Sequence, residues 1–126
     1  MPTIERVEQL IAMVESGAHA EAIAAFYTDD ATMQENLDPP RVGRALLVAH
    51  ETKALSGVKQ VLSRCMRPVF IVGDCVVIRW QFEFERPDGQ WMRMDELAYQ
   101  QWRGDWVATE RFYYHPKQMR PLAAET

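Results

Sequence analysis

Apolar residues recur at helical spacing in the first part of the chain. From residue 4 to residue 14 they return every three or four positions with charged residues between them, and Gly17 follows where a helix would end. This pattern predicts an amphipathic first helix. A second, shorter helix is predicted from Ala20 to Tyr27, because its large apolar side chains fall on one face at i, i+3 and i+4.

The segment after these helices mixes short elements with turn residues. Ala31 to Asn36 is interpreted as a short strand, and the stretch LDPPRVGR as a loop, since two prolines remove backbone donors and Gly43 permits unusual backbone angles. A third helix is predicted from Arg44 to Leu55.

From Val58 almost to Pro116 the pattern changes to period two, which predicts strands. The predicted strands are Val61 to Val72, Cys75 to Glu85, Gln90 to Trp102 and Asp105 to His115, with turns at Gly73-Asp74, Pro87-Asp88-Gly89 and Arg103-Gly104. Short turns between long strands indicate successive antiparallel hairpins. We therefore predict one α+β domain over residues 1–126, with a core from about 4 to 116 and a tail from 117 to 126.

Alternation along the second long strand assigns its side chains to two faces. The apolar face carries Val76, Ile78, Trp80, Phe82 and Phe84, and the polar face carries Arg79, Gln81, Glu83 and Glu85. If Asp88-Gly89 is a two-residue turn, Phe82 lies opposite Asp95 and Ile78 lies opposite Tyr99, so that Asp95 and Tyr99 face the apolar interior. The last hairpin turns either at Arg103-Gly104 or one residue later. Both turns place three further residues on the inner face: Glu110, Phe112 and Tyr114. A bulge in either strand would invert this assignment.

Composition and charge narrow the class of protein. The chain has 126 residues, 48% hydrophobic and 25% charged, which is typical of one globular domain. A net charge of −4 and a pI of about 5.3 argue against a nucleic-acid partner, which normally meets a basic face. No apolar run is long enough to cross a bilayer, and the amino terminus lacks the basic-then-apolar pattern of a signal peptide. We expect a cytoplasmic protein without a membrane partner.

The two cysteines are expected to be free, buried thiols. If the hairpin turns at Gly73-Asp74, Cys65 lies opposite Phe82, on the order of 20 Å from Cys75 at ~3.3 Å per residue. That separation is too large for a disulfide.

Motifs for cofactor or metal chemistry are missing. The chain has no glycine-rich phosphate loop, no nucleophile elbow and no CxxC, and the sequence after His50-Glu51 lacks the second histidine of a zinc helix. The ordinary interpretation of His19, His50 and His115 is a solvated or locally bonded side chain. We expect neither a cofactor nor a metal.

The candidate chemistry consists of carboxyl groups directed at an apolar concavity: Glu35, Asp95 and Glu110. Desolvation in such a setting raises a carboxyl pKa and makes the group a useful acid or base near neutral pH. For Asp95 the alternative is a buried carboxylate bonded to a tyrosine or arginine for structural reasons, and for Glu110 it is pairing with a nearby arginine. The aromatic residues of the inner face either fill the core or line a pocket.

The order of elements and two phrases resemble a known group. Leading helices, the phrase FYTDDATMQEN, a loop ending in Gly43-Arg44, a helix and four long strands finishing in ERFYYHP are similar to the nuclear transport factor 2-like superfamily, especially its SnoaL-like branch. The resemblance covers about Ile4 to Pro116. It implies a cone-shaped α+β barrel, in which two to three helices pack on a curved, mostly antiparallel sheet with a pocket between. It also implies a homodimer formed through the outer sheet face.

The resemblance implies roles for particular residues. The general base of the steroid isomerases in this superfamily follows a phrase similar to FYTDDATMQE and falls on Glu35, while their protonated oxyanion-hole aspartate falls on Asp95. Their first-helix tyrosine falls on Ile11, so that Tyr27, Tyr99 or Tyr114 would have to supply that hydroxyl.

Together these observations predict a protein whose pocket binds a small, largely apolar molecule with one polar end. Glu35 and Asp95 would carry out cofactor-independent isomerisation or cyclisation, beside ligand-binding residues Trp80, Phe82, Tyr99, Glu110, Phe112 and Tyr114. The alternative is a non-catalytic dimeric ligand-binding or protein-interaction module. A homodimer is expected because the polar face of the second long strand and its predicted neighbours Met92, Met94 and Glu96 mix charges with methionines.

Overall fold

A computed structural model describes residues 1–118 and 120–121. The first helix, α1, spans Ile4–Glu15, and the hydroxyl oxygen of Thr3 caps it by accepting the Arg6 N–H at 3.1 Å. The helix ends at Ser16, and Gly17 follows with φ +91°, a conformation that glycine adopts without a steric penalty. Val7, Leu10 and Ile11 of its apolar stripe are buried, which confirms the amphipathic pattern, whereas Ile4 at the start of the helix is exposed.

The elements of the first half follow each other closely. Helix α2 spans His19–Phe26 and runs directly into strand β1, Tyr27–Glu35, so that the strand begins earlier than predicted and Tyr27 belongs to it. The predicted loop contains a two-residue strand, β2, at Arg41–Val42, and helix α3 spans Arg44–Ser56.

The second half consists of long strands, as predicted. Their bounds are β3, Gln60–Val72; β4, Cys75–Glu85; β5, Trp91–Arg103; and β6, Trp106–Tyr113. A 3-10 turn at Pro116–Gln118 precedes the two-residue strand β7, Arg120–Pro121, which pairs with β5.

The strands form one mostly antiparallel sheet. Its order is β2-β1-β6-β5-β4-β3, in which only β1 and β6 run parallel. Helix α2 packs against both α1 and α3, and α1 contacts β3 while α3 contacts β1. The α+β architecture of helices on a curled sheet is therefore confirmed. No helix in the described part of the chain is long and apolar enough to span a membrane.

The connection between β4 and β5 corrects the predicted register. Glu85 pairs with Trp91, so that residues 86–90 form the loop instead of a two-residue turn. This shifts every pair by one residue and places Met94 opposite Phe82 and Glu96 opposite Trp80. The prediction that Asp95 and Tyr99 face inward is wrong, because both lie on the outer face. The prediction that Met92, Met94 and Glu96 face outward is also wrong, because these three residues lie on the inner face.

An irregularity in the pairing of β5 with β6 reverses a second time which residues, odd-numbered or even-numbered, face inward. Gln101 pairs with Thr109 but Trp102 pairs with Val107, which leaves Ala108 as an extra residue on β6. Glu110 therefore lies opposite Gln100 on the inner face, where the sequence placed it. Tyr114 lies just beyond the end of β6 and is half-buried.

Both cysteines are free, as predicted, but only Cys65 is also buried. A register shift between Met66 and Phe70 places Cys65 opposite Trp80 instead of Phe82, a change of two residues that leaves it on the same face. Cys65 is buried, and burial raises the pKa of its thiol. Cys75 is only half-buried, and its Sγ lies 3.4 Å from the hydroxyl oxygen of Tyr99 on the outer face.

Candidate functional site

A cavity of about 300 Å³ lies between the helices and the inner face of the sheet. Most of its wall is apolar, with contributions from all three helices and from strands β1 and β3 to β6. The apolar wall includes Leu10, Ile23, Met33, Leu55, Val61, Trp80, Phe82, Phe84, Met94 and Phe112. The wall also carries polar side chains: His19, Tyr27, Glu35, Arg41, His50, Glu51, Glu96, Gln100 and Glu110. An apolar cavity with convergent polar groups is the usual composition of a small-molecule site.

A hydrogen-bonded chain of buried side chains fixes one of these polar groups. The hydroxyl of Tyr27 donates to Oε1 of Glu110, and Nε2 of Gln100 donates to Oε2 at 2.7 Å. Nε1 of Trp102 in turn donates to Oε1 of Gln100 at 2.9 Å, which sets the orientation of the amide. Burial raises the pKa of Glu110 to about 7, while the donors Tyr27 and Gln100 oppose the rise.

Glu96 is the second buried acid and differs from Glu110 in its surroundings. It is 6% exposed and lines the cavity, and no described side chain donates a hydrogen bond to its carboxyl group. Burial raises its pKa to about 9, and the nearby carboxylates of Glu110 and Glu35 add to the rise. Glu96 is consequently a neutral carboxylic acid at pH 7, able to donate a hydrogen bond.

Glu35 lies at a more open part of the wall. It ends strand β1, and its Oε2 is 3.4 Å from Nη1 of Arg41 on the adjacent strand β2. Both side chains remain partly exposed and line the cavity. The Nε atom of Arg41 is buried and has no hydrogen-bond partner within the described residues, so that it is available to an acceptor on a bound molecule.

Aromatic rings form the wall beside the acids. The rings of Trp80 and Phe82 stack with centroids 5.6 Å apart and an angle of 15° between their planes. Tyr114 is not part of this wall. Burial raises its pKa to about 12, and the nearby Glu35 carboxylate contributes to the rise.

The structure separates the residues that the sequence singled out. Five of them lie on the cavity wall: Glu35, Trp80, Phe82, Glu110 and Phe112. Asp95 lies on the outer face, where Arg79 donates to its two carboxylate oxygens at 3.0 and 2.7 Å, and Tyr99 also lies on that face. The bond to an arginine that the structural alternative for Asp95 proposed is observed, but the carboxylate is partly exposed on the outer face instead of buried.

Glu96 and Gln100 are inner-face residues that the predicted register did not place there. A signal was present in β5 itself, because its even-numbered positions hold four apolar residues out of six and one charged residue, whereas its odd-numbered positions hold three apolar residues out of seven and three charged residues. Period-two alternation within the strand therefore favours the even positions as the inner face, independently of any turn. In the described part of the chain no three metal-ligating side chains come together.

Replacing Tyr27 by phenylalanine is expected to raise the pKa of Glu110 above its value of about 7, because the hydroxyl that stabilises the ionised carboxylate is removed. Carboxyl-carbon NMR of the Tyr27→Phe variant measures the change. The matched control is Tyr113→Phe, since Tyr113 is exposed. An unchanged or lowered Glu110 pKa in Tyr27→Phe would contradict the assigned hydrogen bond.

Comparisons with known proteins agree on the architecture. The family model for the SnoaL-like domain matches residues 7–109. A Mesorhizobium loti protein classed as a SnoaL-like polyketide cyclase superposes with a TM-score of 0.75 at 20% identity, covering 90% of this chain and 100% of its own. The comparison with curated proteins gives no match.

Two further structures share the fold at low identity. A Catenulispora acidiphila protein of ketosteroid isomerase-like fold, in complex with trimethylamine, has a TM-score of 0.77 at 17% identity and covers 93% of this chain and 90% of its own. TerC co-crystallised with polyporic acid has a TM-score of 0.75 at 16% identity and covers 91% of this chain and 92% of its own. At such identities the similarity shows the fold alone.

Proposed function

The chain belongs to the SnoaL-like domain family of the nuclear transport factor 2-like superfamily, and from that premise we propose that it binds a small, largely apolar carbonyl compound and transfers a proton on it without a cofactor. The observation that carries the proposal is the neutral acid Glu96, which lines a cavity of about 300 Å³ together with Glu35. Members of this family and fold include proteins classed as cyclases and isomerases.

Glu96 is the proposed acid. A neutral carboxyl group in an apolar wall donates a hydrogen bond to a carbonyl oxygen and stabilises the negative charge that develops there as an enolate forms. Its role is the one that the resemblance implied for Asp95, which lies on the outer face, whereas Glu96 beside it lies on the inner face. The buried Glu110 supports it, since a negative charge there favours the neutral form of Glu96.

Glu35 is the proposed base, as the resemblance implies. It is less buried than Glu96, and its ion pair with Arg41 keeps its carboxylate at the wall of the cavity. The two carboxyl groups thus lie in different environments, which separates the acid from the base. The unpartnered Nε of Arg41 would hold an acceptor atom at the polar end of the molecule. Trimethylamine and polyporic acid in two structures of this fold support a small organic ligand.

Exchange of α-carbon hydrogen for deuterium on a bicyclic ketone tests the reaction without knowledge of the natural substrate. With 2-tetralone in D₂O, we expect the protein to accelerate exchange, and Glu96→Gln and Glu35→Gln to reduce that acceleration by about 100-fold. Asp95→Asn is the control, because it alters the adjacent residue on the outer face. Proton NMR measures both exchange and saturation transfer to the ketone. Binding without accelerated exchange would favour the non-catalytic ligand-binding module.

The proposed protein partner is a second copy of the chain, bound through the outer sheet face. The methionines on which the sequence-based expectation relied face inward, but the outer face exposes other apolar side chains: Leu62, Phe70, Val72, Leu97 and Tyr99. An exposed apolar patch of this kind is typical of an interaction surface.

At tens of micromolar, sedimentation equilibrium is expected to give a mass about twice that of the 14.6 kDa chain. Leu97→Asp should shift the protein toward the monomer by placing a charge in the patch. Val42→Asp is a matched control on β2, where the valine is also exposed. A monomeric wild type would remove this proposal.

A further inference from the structure

Three side chains from three different elements form a hydrogen-bonded row that includes neither Glu35 nor Glu96, and two of the three, His19 and Glu51, line the same cavity as those acids. The Nε2 atom of His19 is 2.7 Å from Oγ of Ser63, and its Nδ1 atom is 3.3 Å from Oε1 of Glu51. With the ring hydrogen on Nδ1, the imidazole donates to the glutamate and accepts from the serine hydroxyl. This is the order of contacts in a serine nucleophile triad: nucleophile, base and orienting carboxylate.

The fold holds the histidine between its partners. His19 is the first residue of α2, and its ring packs tilted against Phe82 with centroids 5.3 Å apart. Glu51 lies on α3, which packs on α2, and Ser63 lies on the inner side of β3 opposite Phe82. The histidine and glutamate side chains are 11% and 24% exposed. Partial burial of this kind keeps a base oriented and strengthens its hydrogen bonds.

Ser63 is half-buried on the edge strand β3, with its hydroxyl on the inner side of the sheet. A groove of about 360 Å³ runs along this edge and is lined by Glu15, Ser16, Val61, Leu62, Ser63, Arg64, Gln81 and Glu83. Leu62 belongs to the outer face, but Val61 shares the inner face with Ser63 and also lines the cavity of about 300 Å³, where its side chain would accommodate a short acyl chain beside the hydroxyl.

The same edge provides a donor for a developing oxyanion. The N–H of Cys65 donates to Oε2 of Glu15 at 3.1 Å, so that it points away from β4. Alternate residues of a strand direct their N–H groups to the same edge, and the N–H of Ser63 therefore points there too. In serine hydrolases the nucleophile's own N–H is one of the oxyanion donors.

We propose that Ser63, His19 and Glu51 form a second catalytic site that hydrolyses small carboxylic esters with a short acyl chain. Oγ of Ser63 attacks the carbonyl carbon while Nε2 of His19 takes the hydroxyl proton and gives it to the leaving alkoxide. The products of this step are acyl-Ser63 and an alcohol. Water, deprotonated by His19, then attacks the acyl group, and release of the carboxylic acid returns the proton to Ser63.

The experiment uses diisopropyl fluorophosphate, which forms an oxygen–phosphorus bond with an activated serine as fluoride leaves. We expect one diisopropylphosphoryl group per chain, located in the tryptic peptide 60–64, whose only serine is Ser63. Ser63→Ala is expected to abolish this adduct, and His19→Gln to slow its formation by about 100-fold. Glu51→Gln is also expected to slow it, because the ring loses its orienting carboxylate.

The matched control is Ser56→Ala, which removes a helical serine whose hydroxyl donates to the carbonyl oxygen of Lys53. This variant should label at the wild-type rate, and p-nitrophenyl acetate hydrolysis should follow the same order across the variants. Circular dichroism checks that each variant is folded; if His19→Gln is not, Glu51→Gln decides the role of the base. Labelling outside peptide 60–64 only, or an unchanged rate in a folded His19 or Glu51 variant, would overturn the proposal.

Discussion

The fold is expected to lose stability as the pH rises from 5 to 9, and Glu96 is the main reason. Its pKa is about 9 in the folded chain against an ordinary value of 4.5, so that the folded state binds a proton that the unfolded state has already released. The stabilisation is fully present below about pH 4.5 and is lost as the pH rises through 9. Glu110, with a pKa of about 7, adds a smaller change of the same sign.

The expected loss from Glu96 is on the order of 5 kcal/mol, because each pKa unit corresponds to about 1.4 kcal/mol. Chemical denaturation at pH 5, 7 and 9, followed by tryptophan fluorescence at one protein concentration, measures it. Glu96→Gln should flatten most of the dependence and make the variant more stable than wild type at pH 9.

Asp95→Asn is the control for this series, since it changes the neighbouring carboxyl group, which lies on the outer face beside Arg79. Its slope of stability against pH should match that of wild type. If Asp95→Asn, and not Glu96→Gln, flattened the slope of stability against pH, the odd-numbered residues of β5 would be the ones that face inward. The pairing of β4 with β5 described above would then be incorrect.

Shortening the side chain of Ile78 is expected to cost about 2–5 kcal/mol of unfolding free energy. Ile78 is 0% exposed at the centre of β4, in contact with the core that the helices cover. Ile78→Ala removes buried methyl and methylene groups and leaves a cavity that the surrounding strands and helices close only in part. Urea denaturation at pH 6 measures the change.

Val77→Ala provides the matched comparison within the same strand. Val77 faces the outer side opposite Tyr99 and is only half-buried, so its truncation should cost about 1 kcal/mol or less. The difference between the two losses of unfolding free energy shows directly which face of β4 packs against the core. Equal costs would mean that the two faces are buried alike.

The sequence by itself determined which elements form and the faces of β4. Helical spacing located α1 and α2, the loop ending at Gly43 located the start of α3, and period two located β3 to β6 within two residues at each end. These patterns are local, because a helix or strand must bury its apolar side whatever it packs against. The phrases that resemble the superfamily also led to Glu35 and to the fold class.

Only the tertiary structure decided which side chains meet. Because the loop after β4 has five residues, Glu96 faces inward instead of Asp95. Because Ala108 is an extra residue on β6, Glu110 also faces inward, as predicted. Loop length and bulges depend on how the whole sheet closes, and each reverses the face of every residue beyond it, since the side-chain period of a strand is two. The row of His19, Glu51 and Ser63 joins residues 32 and 44 positions apart. No local pattern in the sequence predicts such a contact, because it depends on how α2, α3 and the edge strand β3 come together in the fold.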